Sequence, residues 1–345
     1  MKKFRFLLAA AASLMLLVLL TGCKKERTLH IYTWEGYISE DVIKQFAEEN
    51  NCKVEIDVFP SNEEMYAKLK VGATGYDIVV PSSYMATTMY KQQMIDKLDL
   101  SRLPNVLKYY DSKYDAISLD KAHEYTIPFF VSFTGIGYNS ALIPDFVPSW
   151  KMFERSDLRG KISLLDDQRE VIGAALLTLG FSANETNQKK IDEAVKLARE
   201  WKQNIAKWGV DDAKDSLASG EFVMIHAYNG DMLQVAMDNP DIKFVIPKEG
   251  TTITLDNFAI LKDSKNKDLA YKFIDFMYRT DIAVRNINEI QYYMPHKEAV
   301  SKLDEALRDN PIFNVPADVF NRCHPLADLG EDHVKYDKAW DDIKK

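Results

Sequence analysis

The sequence has few cysteines, no surplus of basic residues and no low-complexity stretch. Three cysteines in 345 residues are too few for a disulfide framework or a structural zinc site. Lys and Arg number 44 against 52 Asp and Glu, a net charge of -8, which disfavours general nucleic-acid binding because phosphates require positive charge. Hydrophobic residues at 46% and charged residues at 28% are typical of a globular protein, and they exclude a disordered, collagen-like or polytopic membrane chain.

Motifs of catalysis and nucleotide binding are also missing. The chain has no G-x-S-x-G, no P-loop, no G-x-G-x-x-G after a strand and no H-E-x-x-H. Its six histidines are scattered, which argues against a His-rich metal site. Ser82 and Ser83 follow a predicted strand, as a nucleophile could, but no obvious His–Asp set accompanies them. We therefore predict a protein that is not an enzyme and has no cofactor or metal.

The N-terminus has the layout of an export signal. Positive residues at positions 2, 3 and 5 precede an uncharged run from 6 to 20, and Leu20-Thr-Gly-Cys23 follows. This ending resembles the bacterial lipobox, so we expect a lipoprotein signal peptide at 1–22, lipidation of Cys23 and a polar tether at 23–27. The alternative is an uncleaved membrane anchor, for which the apolar run is short. The expected location is the cell envelope, with the protein lipid-anchored and facing the periplasm or exterior.

Two further cysteines could pair in such an oxidising compartment. Nothing in the sequence places Cys52 and Cys323 close together, and we interpret both as buried thiols.

Apolar strand-like runs alternate with segments of helical periodicity, which predicts an α/β protein with parallel strands. The predicted strands are 28–34, 53–59, 76–80, 161–165, 222–226, 242–245 and a strand beginning near Thr254. The predicted helices begin after Ser39, at Asn62 and at Met85, and then cover 169–179, 190–205 and 232–237.

The chain is longer than a single core usually grows, so we expect two lobes. No Pro- or Gly-rich linker divides it, which indicates that the chain crosses between the lobes more than once. We predict lobe 1 at 28–134 and 256–300, and lobe 2 at 135–255 and 301–345.

Acidic and aromatic residues follow several predicted strands, which is where open α/β sheets bind ligands. These residues are Trp34, Glu35, Tyr37, Ser82, Tyr84, Asp166, Asp167, Glu170, Tyr228, Asp256, Tyr292 and Tyr293. Carboxylates neutralise ammonium groups through charge-assisted hydrogen bonds, and aromatic faces attract cations and cover alkyl chains. The set therefore favours a cleft for an organic cation.

Each of these features has a structural alternative that the residues alone leave open. The spacing from Asp167 to Glu170 is that of a capping box at a helix start. Asp256 before an asparagine is also typical of a turn, and the pair Tyr292-Tyr293 could serve packing.

The sequence resembles the polyamine-binding family of extracytoplasmic solute-binding proteins, which serve ABC importers of spermidine and putrescine. The resemblance covers the whole mature chain. Its strongest stretches are Tyr32-Thr-Trp34-Glu-Gly-Tyr37, Ser61-Asn-Glu-Glu-Met-Tyr-Ala-Lys-Leu-Lys70, Tyr76-Asp-Ile-Val-Val-Pro-Ser82-Ser-Tyr84, Leu165-Asp-Asp-Gln-Arg-Glu-Val171 and Pro247-Lys-Glu-Gly250. The resemblance implies a periplasmic-binding-protein-like fold, in which two α/β lobes close like a hinge over a ligand cleft.

The resemblance also implies site residues. The family's W-x-x-Y falls on Trp34 and Tyr37, its P-S-x-Y falls on Ser82 and Tyr84, and a cleft tyrosine falls on Tyr292.

The amine-binding carboxylates of the family fall on three acidic residues. Its D-x-x-E falls on Asp167 and Glu170, and its key aspartate falls on Asp256. Glu35 stands where the family usually has threonine or serine, and we expect it to help as an additional acid.

The sequence departs from the spermidine binder at several cleft positions. Tyr228, Thr254 and Val131 stand where that protein has tryptophan, and Leu326 aligns with a glutamine. The preferred chain length of the polyamine is therefore left open between putrescine and spermidine.

We accordingly expect a monomeric polyamine receptor that delivers its ligand to an ABC permease. The alternatives are a ferric-iron receptor of the same fold using Tyr292 and Tyr293, a sugar or thiamine receptor, and a surface hydrolase using Ser82 or Ser83.

Overall fold

The computed structural model describes residues 27–209 and 211–345. The strands are β1 (Arg27–Thr33), β2 (Cys52–Val58), β3 (Ile78–Val79), β4 (Ile127–Asn139), β5 (Ile162–Leu165), β6 (Lys207–Gly209), β7 (Met224–Tyr228), β8 (Ile242–Val245), β9 (Thr251–Ile260) and β10 (Cys323–Pro325).

The α-helices alternate with these strands along most of the chain. They are α1 (Glu40–Asn50), α2 (Asn62–Lys70), α3 (Ser83–Lys91), α4 (Pro104–Tyr109), α5 (Gln168–Thr178), α6 (Gln188–Lys202), α7 (Asp211–Ser219), α8 (Asn229–Asp238), α9 (Lys267–Met277), α10 (Thr280–Ile290), α11 (Glu305–Arg308), α12 (Ala317–Phe320) and α13 (His333–Lys344).

Local sequence explains where the first helices begin and end. Ser61 is the N-cap of α2, where its hydroxyl accepts the backbone N–H of Glu64. Ser39 is the N-cap of α1 by position, as predicted, but its hydroxyl donates to Glu289 instead of capping the helix. Asn51 ends α1 in the left-handed conformation, which asparagine tolerates better than most residues.

The strand order β2-β1-β3-β9-β4-β7-β5-β6 gives each half of the molecule its own parallel strands. β1 pairs in parallel with β2 and β3, and β5 pairs in parallel with β6 and β7. The long strands β4 and β9 are antiparallel to each other and join the two halves. β10 lies beside β9, and β8 lies beside β4.

Two main cores lie on either side of this junction. The first contains Phe46, Phe129, Phe258 and Phe273, and the second contains Trp150, Leu176, Trp201 and Tyr336. The α/β class and the repeated crossing of the chain are therefore confirmed.

The lobe boundaries remain a prediction. Of the C-terminal residues assigned to lobe 2, Leu307 and Phe313 pack in the first core, whereas Tyr336 and Ile343 pack in the second.

The expected signal peptide, lipidated Cys23 and tether residues up to 26 lie outside the described residues. Arg27, predicted as the last tether residue, is instead the first residue of β1, where it pairs with Cys52. Within 27–209 and 211–345, the helices are all too short or too polar to cross a membrane. Cys52 is buried in β2, and Cys323 is a half-buried thiol in β10 whose Sγ donates to the backbone oxygen of Val319.

Candidate functional site

A cavity lies where the two halves meet at β4 and β9. Its volume is about 40 Å³. The wall includes every predicted ligand-binding residue, namely Trp34, Glu35, Tyr37, Ser82, Tyr84, Asp167, Glu170, Tyr228, Asp256 and Tyr292. The remaining wall residues are Phe59, Pro60, Asn62, Ser132, Asp231, Thr254 and Leu326.

Asp256 forms one anionic pole of the cavity. It lies in the middle of β9, is 2% exposed and accepts three hydroxyl hydrogen bonds. Tyr37 and Ser132 donate to Oδ2 at 2.8 Å each, and Ser82 donates to Oδ1 at 2.6 Å. A carboxylate has about four acceptor positions, so the carboxylate of Asp256 is fixed in orientation and keeps acceptor capacity for a ligand.

Asp167 and Glu170 form the second pole, at the N-terminus of α5. Asp167 is the N-cap, and its Oδ1 accepts the backbone N–H groups of Arg169 and Glu170 at 2.8 and 3.1 Å. The predicted capping role is thus confirmed for Asp167. Its Oδ2 accepts the hydroxyl of Tyr228 at 3.2 Å.

Glu170 does not complete a capping box. Its Oε2 accepts the hydroxyl of Thr134 at 2.8 Å and that of Thr252, which come from β4 and β9. Both donors use Oε2, so Oε1 is left for a cation.

Burial raises the pKa of all three carboxyl groups. For Asp256 the three hydroxyl donors partly oppose this rise, and for Asp167 the two backbone N–H groups do so. Burial and then the charge of Asp167 raise the pKa of Glu170 to about 7. A bound cation would relieve the cost of holding these carboxylates ionised in a buried place.

Aromatic rings cover the wall between the poles. The ring centroid of Tyr37 lies 5.2 Å from that of Tyr292, and Trp34 packs at 4.6 Å on Phe59. The indole Nε1–H of Trp34 donates to the backbone oxygen of Val80 at 2.9 Å, which fixes the ring at the rim.

Gly230, two residues after Tyr228, makes room for the ring of Tyr292. A Cβ atom at Gly230 would lie 2.1 Å from Cε2 of Tyr292, closer than any real contact. The absence of a side chain at Gly230 therefore allows the Tyr292 ring to occupy its place in the cavity wall.

Asn62 organises the part of the wall contributed by α2 and α3. Its Nδ2 donates to Ser82 Oγ at 3.1 Å and to Tyr84 Oη at 3.0 Å, and its Oδ1 accepts the backbone N–H of Ser82. The sequence analysis identified this asparagine only as a helix start. Its position directly after an N-cap serine, four residues after the end of β2, was the available signal.

Asp231 and Ser132 were also missed. Asp231 lies in the first turn of α8, 4.0 Å from Lys214 Nζ, and Ser132 lies in β4 beside Asp256.

Val131, aligned with a cage tryptophan, is a core residue and does not line the cavity, whereas Thr254 and Leu326 do.

The tyrosine pair at 292–293 is divided between two places. Tyr292 lines the cavity, where burial and then Asp231 raise its pKa well above the ordinary value and keep the phenol protonated. Tyr293 packs on Phe313 and its hydroxyl accepts a hydrogen bond from Lys113 at 3.1 Å. This division gives no support to a phenolate pair that chelates iron.

The serines after β3 have structural partners. Ser82 donates to Asp256, and Ser83 donates to the backbone oxygen of Leu255 at 3.1 Å. Among the described residues, neither serine contacts a histidine.

Comparison with known proteins supplies independent findings. Residues 41–315 match the family model described as bacterial extracellular solute-binding protein. The spermidine/putrescine-binding periplasmic protein of Escherichia coli is 32% identical over 350 residues, which cover all of this chain and 99% of the relative.

Two solved structures resemble the whole described fold. A protein of Listeria monocytogenes described as a spermidine/putrescine ABC transporter has a TM-score of 0.89 at 32% identity, covering 92% of this chain and 99% of its own. A lipoprotein of Treponema pallidum has a TM-score of 0.83 at 31% identity, with the same coverage. These findings confirm the predicted fold and the prediction of a solute-binding protein that is not an enzyme.

Proposed function

Because this chain belongs to the bacterial extracellular solute-binding protein family, we propose that it is an extracytoplasmic receptor that binds a polyamine and delivers it to an ABC importer. The proposed ligands are putrescine and spermidine. One observation carries the proposal: two buried carboxylate poles, contributed by different parts of the chain, line one narrow cavity with aromatic walls.

In this mechanism each pole binds one ammonium group. Asp256 accepts hydrogen bonds from one end of the ligand, and Asp167 and Glu170 accept them from the other end. The rings of Trp34 and Tyr292 cover the methylene chain between the ends. Because side chains of the first half hold Asp256, whereas Asp167 and Glu170 begin α5 in the second half, a ligand that contacts both poles favours the closed form of the cleft.

Recognition by the permease follows from closure. The closed form presents surfaces of both halves in one arrangement, and the permease would distinguish it from the open form. The receptor catalyses no reaction, and we expect it to act as a monomer.

The proposed membrane attachment is a lipid on Cys23 after removal of residues 1–22. Mass spectrometry of the N-terminal peptide from a bacterial membrane fraction tests this attachment. Acyl chains on Cys23, and release of a Cys23→Ser variant into the soluble fraction, are the expected results. An unmodified Cys23 in the mature protein would contradict it.

A thermal-shift panel tests the ligand class. A ligand that binds only the folded state raises the melting temperature in proportion to the logarithm of its concentration. Putrescine or spermidine should raise it, whereas 1,4-butanediol, thiamine and ferric citrate should not. A shift with ferric citrate or thiamine and none with any amine would overturn the proposal.

A further inference from the structure

A fourth acidic residue, Glu63, lies behind the cavity wall. It is the second residue of α2, and its Oε1 accepts the hydroxyl of Tyr84 at 3.2 Å. Glu63 as a residue is half-buried, but its Oε2 is sealed from solvent and has no hydrogen-bond partner among the described residues. Tyr84 separates Glu63 from the cavity, so its influence on a ligand is electrostatic.

The buried cation nearest to Glu63 comes from the other side of the cleft. The guanidinium of Arg169, in the first turn of α5, lies 4.7 Å from the ring centroid of Tyr84. Its terminal nitrogens donate to the backbone oxygen of Ala327 and to Asn184, while its Nε is buried without a partner in the described chain. Closure thus places Arg169 and Asp167 against the Tyr84–Glu63 pair.

The charges of this closed region do not balance with a diamine. Two further wall acids are left out of the balance, because Asp231 lies 4.0 Å from Lys214 Nζ and Glu35 is exposed to solvent. Glu63, Asp167, Glu170 and Asp256 contribute four negative charges when ionised, and Arg169 is the one buried Lys or Arg side chain among the described residues. A diamine supplies two positive charges and leaves one carboxylate unpaired. A triamine supplies three and leaves none. An unpaired buried charge is costly, so the diamine complex favours one protonated carboxyl group.

Glu63 is the carboxyl group best suited to hold that proton. Asp256 and Asp167 each accept three hydrogen bonds and Glu170 accepts two, all of which favour the ionised form. Glu63 accepts one from the Tyr84 hydroxyl and does not face the ligand.

We propose that Glu63 is a specificity-determining residue that takes up a proton when the cleft closes on a diamine and stays ionised when it closes on a triamine. This inference rests on the proposed polyamine function. Binding of a diamine should therefore weaken relative to binding of a triamine as pH rises.

The ionisation of Glu63 agrees with this geometry. Burial, and then the charge of Asp167, raise the pKa of Glu63 to about 7, while its own backbone N–H, Arg169 and the Tyr84 hydroxyl oppose the rise. Asp167, Arg169 and Tyr84 are the titratable and charged groups that α3 and α5 direct at it. A carboxyl group whose pKa is higher in the closed form binds a proton when the cleft closes. Protonation of Glu63 therefore favours closure at low pH, and this contribution is lost as pH rises through 7.

Calorimetric titration of the purified protein in two buffers of different ionisation enthalpy counts the protons taken up. At pH 6 we expect the net proton uptake for putrescine to exceed that for spermidine by about one, because Glu63 is protonated only with the diamine, whereas Glu170, whose pKa is also about 7, loses its proton to either bound amine. Between pH 6 and pH 8 the affinity for putrescine relative to that for spermidine should fall about tenfold.

Glu63→Gln should abolish the difference in proton uptake between the two amines and shift the preference toward putrescine over spermidine at pH 8. Glu64→Gln is the matched control, because Glu64 is exposed on the same helical turn. Equal proton counts for both amines, or a difference that persists in Glu63→Gln, would overturn the role of Glu63 and leave the polyamine function intact.

If only one of the two amines binds, its proton count in the wild type minus that in Glu63→Gln decides. A difference of about one proton for a diamine, or of almost none for a triamine, would support the proposal, and the opposite difference would overturn it. Absence of heat from both amines would overturn the polyamine function itself. When both amines bind, the comparison between them in the wild type needs no variant, so it decides the proposal even if Glu63→Gln does not fold.

Discussion

The hydroxyl of Tyr37 donates a hydrogen bond of 2.8 Å to Asp256, although 219 residues separate the two in sequence. Tyr37 follows β1, and Asp256 lies within β9, which reaches β1 only through β3. This bond holds the carboxylate of Asp256 in one orientation inside the cavity. The order of the strands therefore brings together the residues that form this pole, which we assign to one ammonium group.

Asp256→Asn should weaken polyamine binding by roughly 2–5 kcal/mol, because it leaves a buried ammonium without its counter-charge. Asn keeps an acceptor and nearly the same volume, so the fold should persist. Calorimetry measures the loss, and Asp263→Asn, an exposed aspartate after the same strand, is the control. Native affinity in Asp256→Asn would remove this residue from the site.

Gly230→Ala should displace the ring of Tyr292, since the new Cβ would lie 2.1 Å from Cε2. Overpacking of this kind costs about 1–3 kcal/mol, so polyamine affinity should fall about tenfold. Met237→Ala, an exposed change on the same helix, should leave the affinity unchanged. If both variants bind alike, the position of the Tyr292 ring does not matter for the ligand.

Glu170→Gln should raise stability and lower affinity at the same time. The pKa of Glu170 is raised from 4.5 to about 7, so the ligand-free protein loses stability as pH rises through this interval, and the loss is complete above pH 7. The amide removes the buried charge and keeps an acceptor for the threonine hydroxyls.

We therefore expect the ligand-free Glu170→Gln protein to melt a few degrees higher than the wild type at pH 8, with almost no difference near pH 4.5. Its affinity for the polyamine should drop. Glu193→Gln, an exposed change on α6, is the control. A destabilised variant with native affinity would show that Glu170 is structural and does not bind ligand.

His226 should make the second core sensitive to acid. It is completely buried against Trp150, both ring nitrogens are without partners among the described residues, and burial lowers its pKa to about 3. In the unfolded chain the imidazole of His226 binds a proton near pH 6.5, whereas in the folded protein it stays neutral down to about pH 3. The contribution of neutral His226 to the free energy of unfolding is therefore complete above pH 6.5 and is lost as pH falls toward 3.

Between pH 7 and pH 4.5 this effect should lower the free energy of unfolding by about 2–3 kcal/mol. Urea unfolding of the wild type and His226→Leu measures it, and the variant should lose less stability on acidification. His324→Leu, at an exposed site, should behave like the wild type. Parallel acid profiles for wild type and His226→Leu would contradict the assignment.

The sequence allowed prediction of those site residues that follow local rules. Trp34 and Ser82 follow short apolar strands, and Asp167 precedes a helix with the spacing of a cap. Local periodicity and the resemblance to a family placed these residues near one edge of the sheet. The structure brings them to a single cavity.

The rest depends on contacts between distant segments. β4 is one thirteen-residue strand, and the strands predicted from the sequence did not include it. Gly135 and Gly137 weaken a strand pattern locally, yet Gly135 is needed because a Cβ there would lie 2.5 Å from the backbone oxygen of Val245. Ser132 and Asn62 were missed because their partners, Asp256 and Ser82, are far away in sequence.

The central claim is that one slender ligand carries a positive charge to each pole of the cavity. Calorimetric titration of the purified protein, stripped of ligand by unfolding and refolding, tests it with putrescine, cadaverine, spermidine, spermine and the one-charge analogue n-butylamine. We expect saturable one-to-one binding of putrescine or spermidine with a Kd of about 1 µM or lower, and no comparable binding of n-butylamine. Equal affinity for n-butylamine and putrescine, or no heat from any amine, would contradict the account.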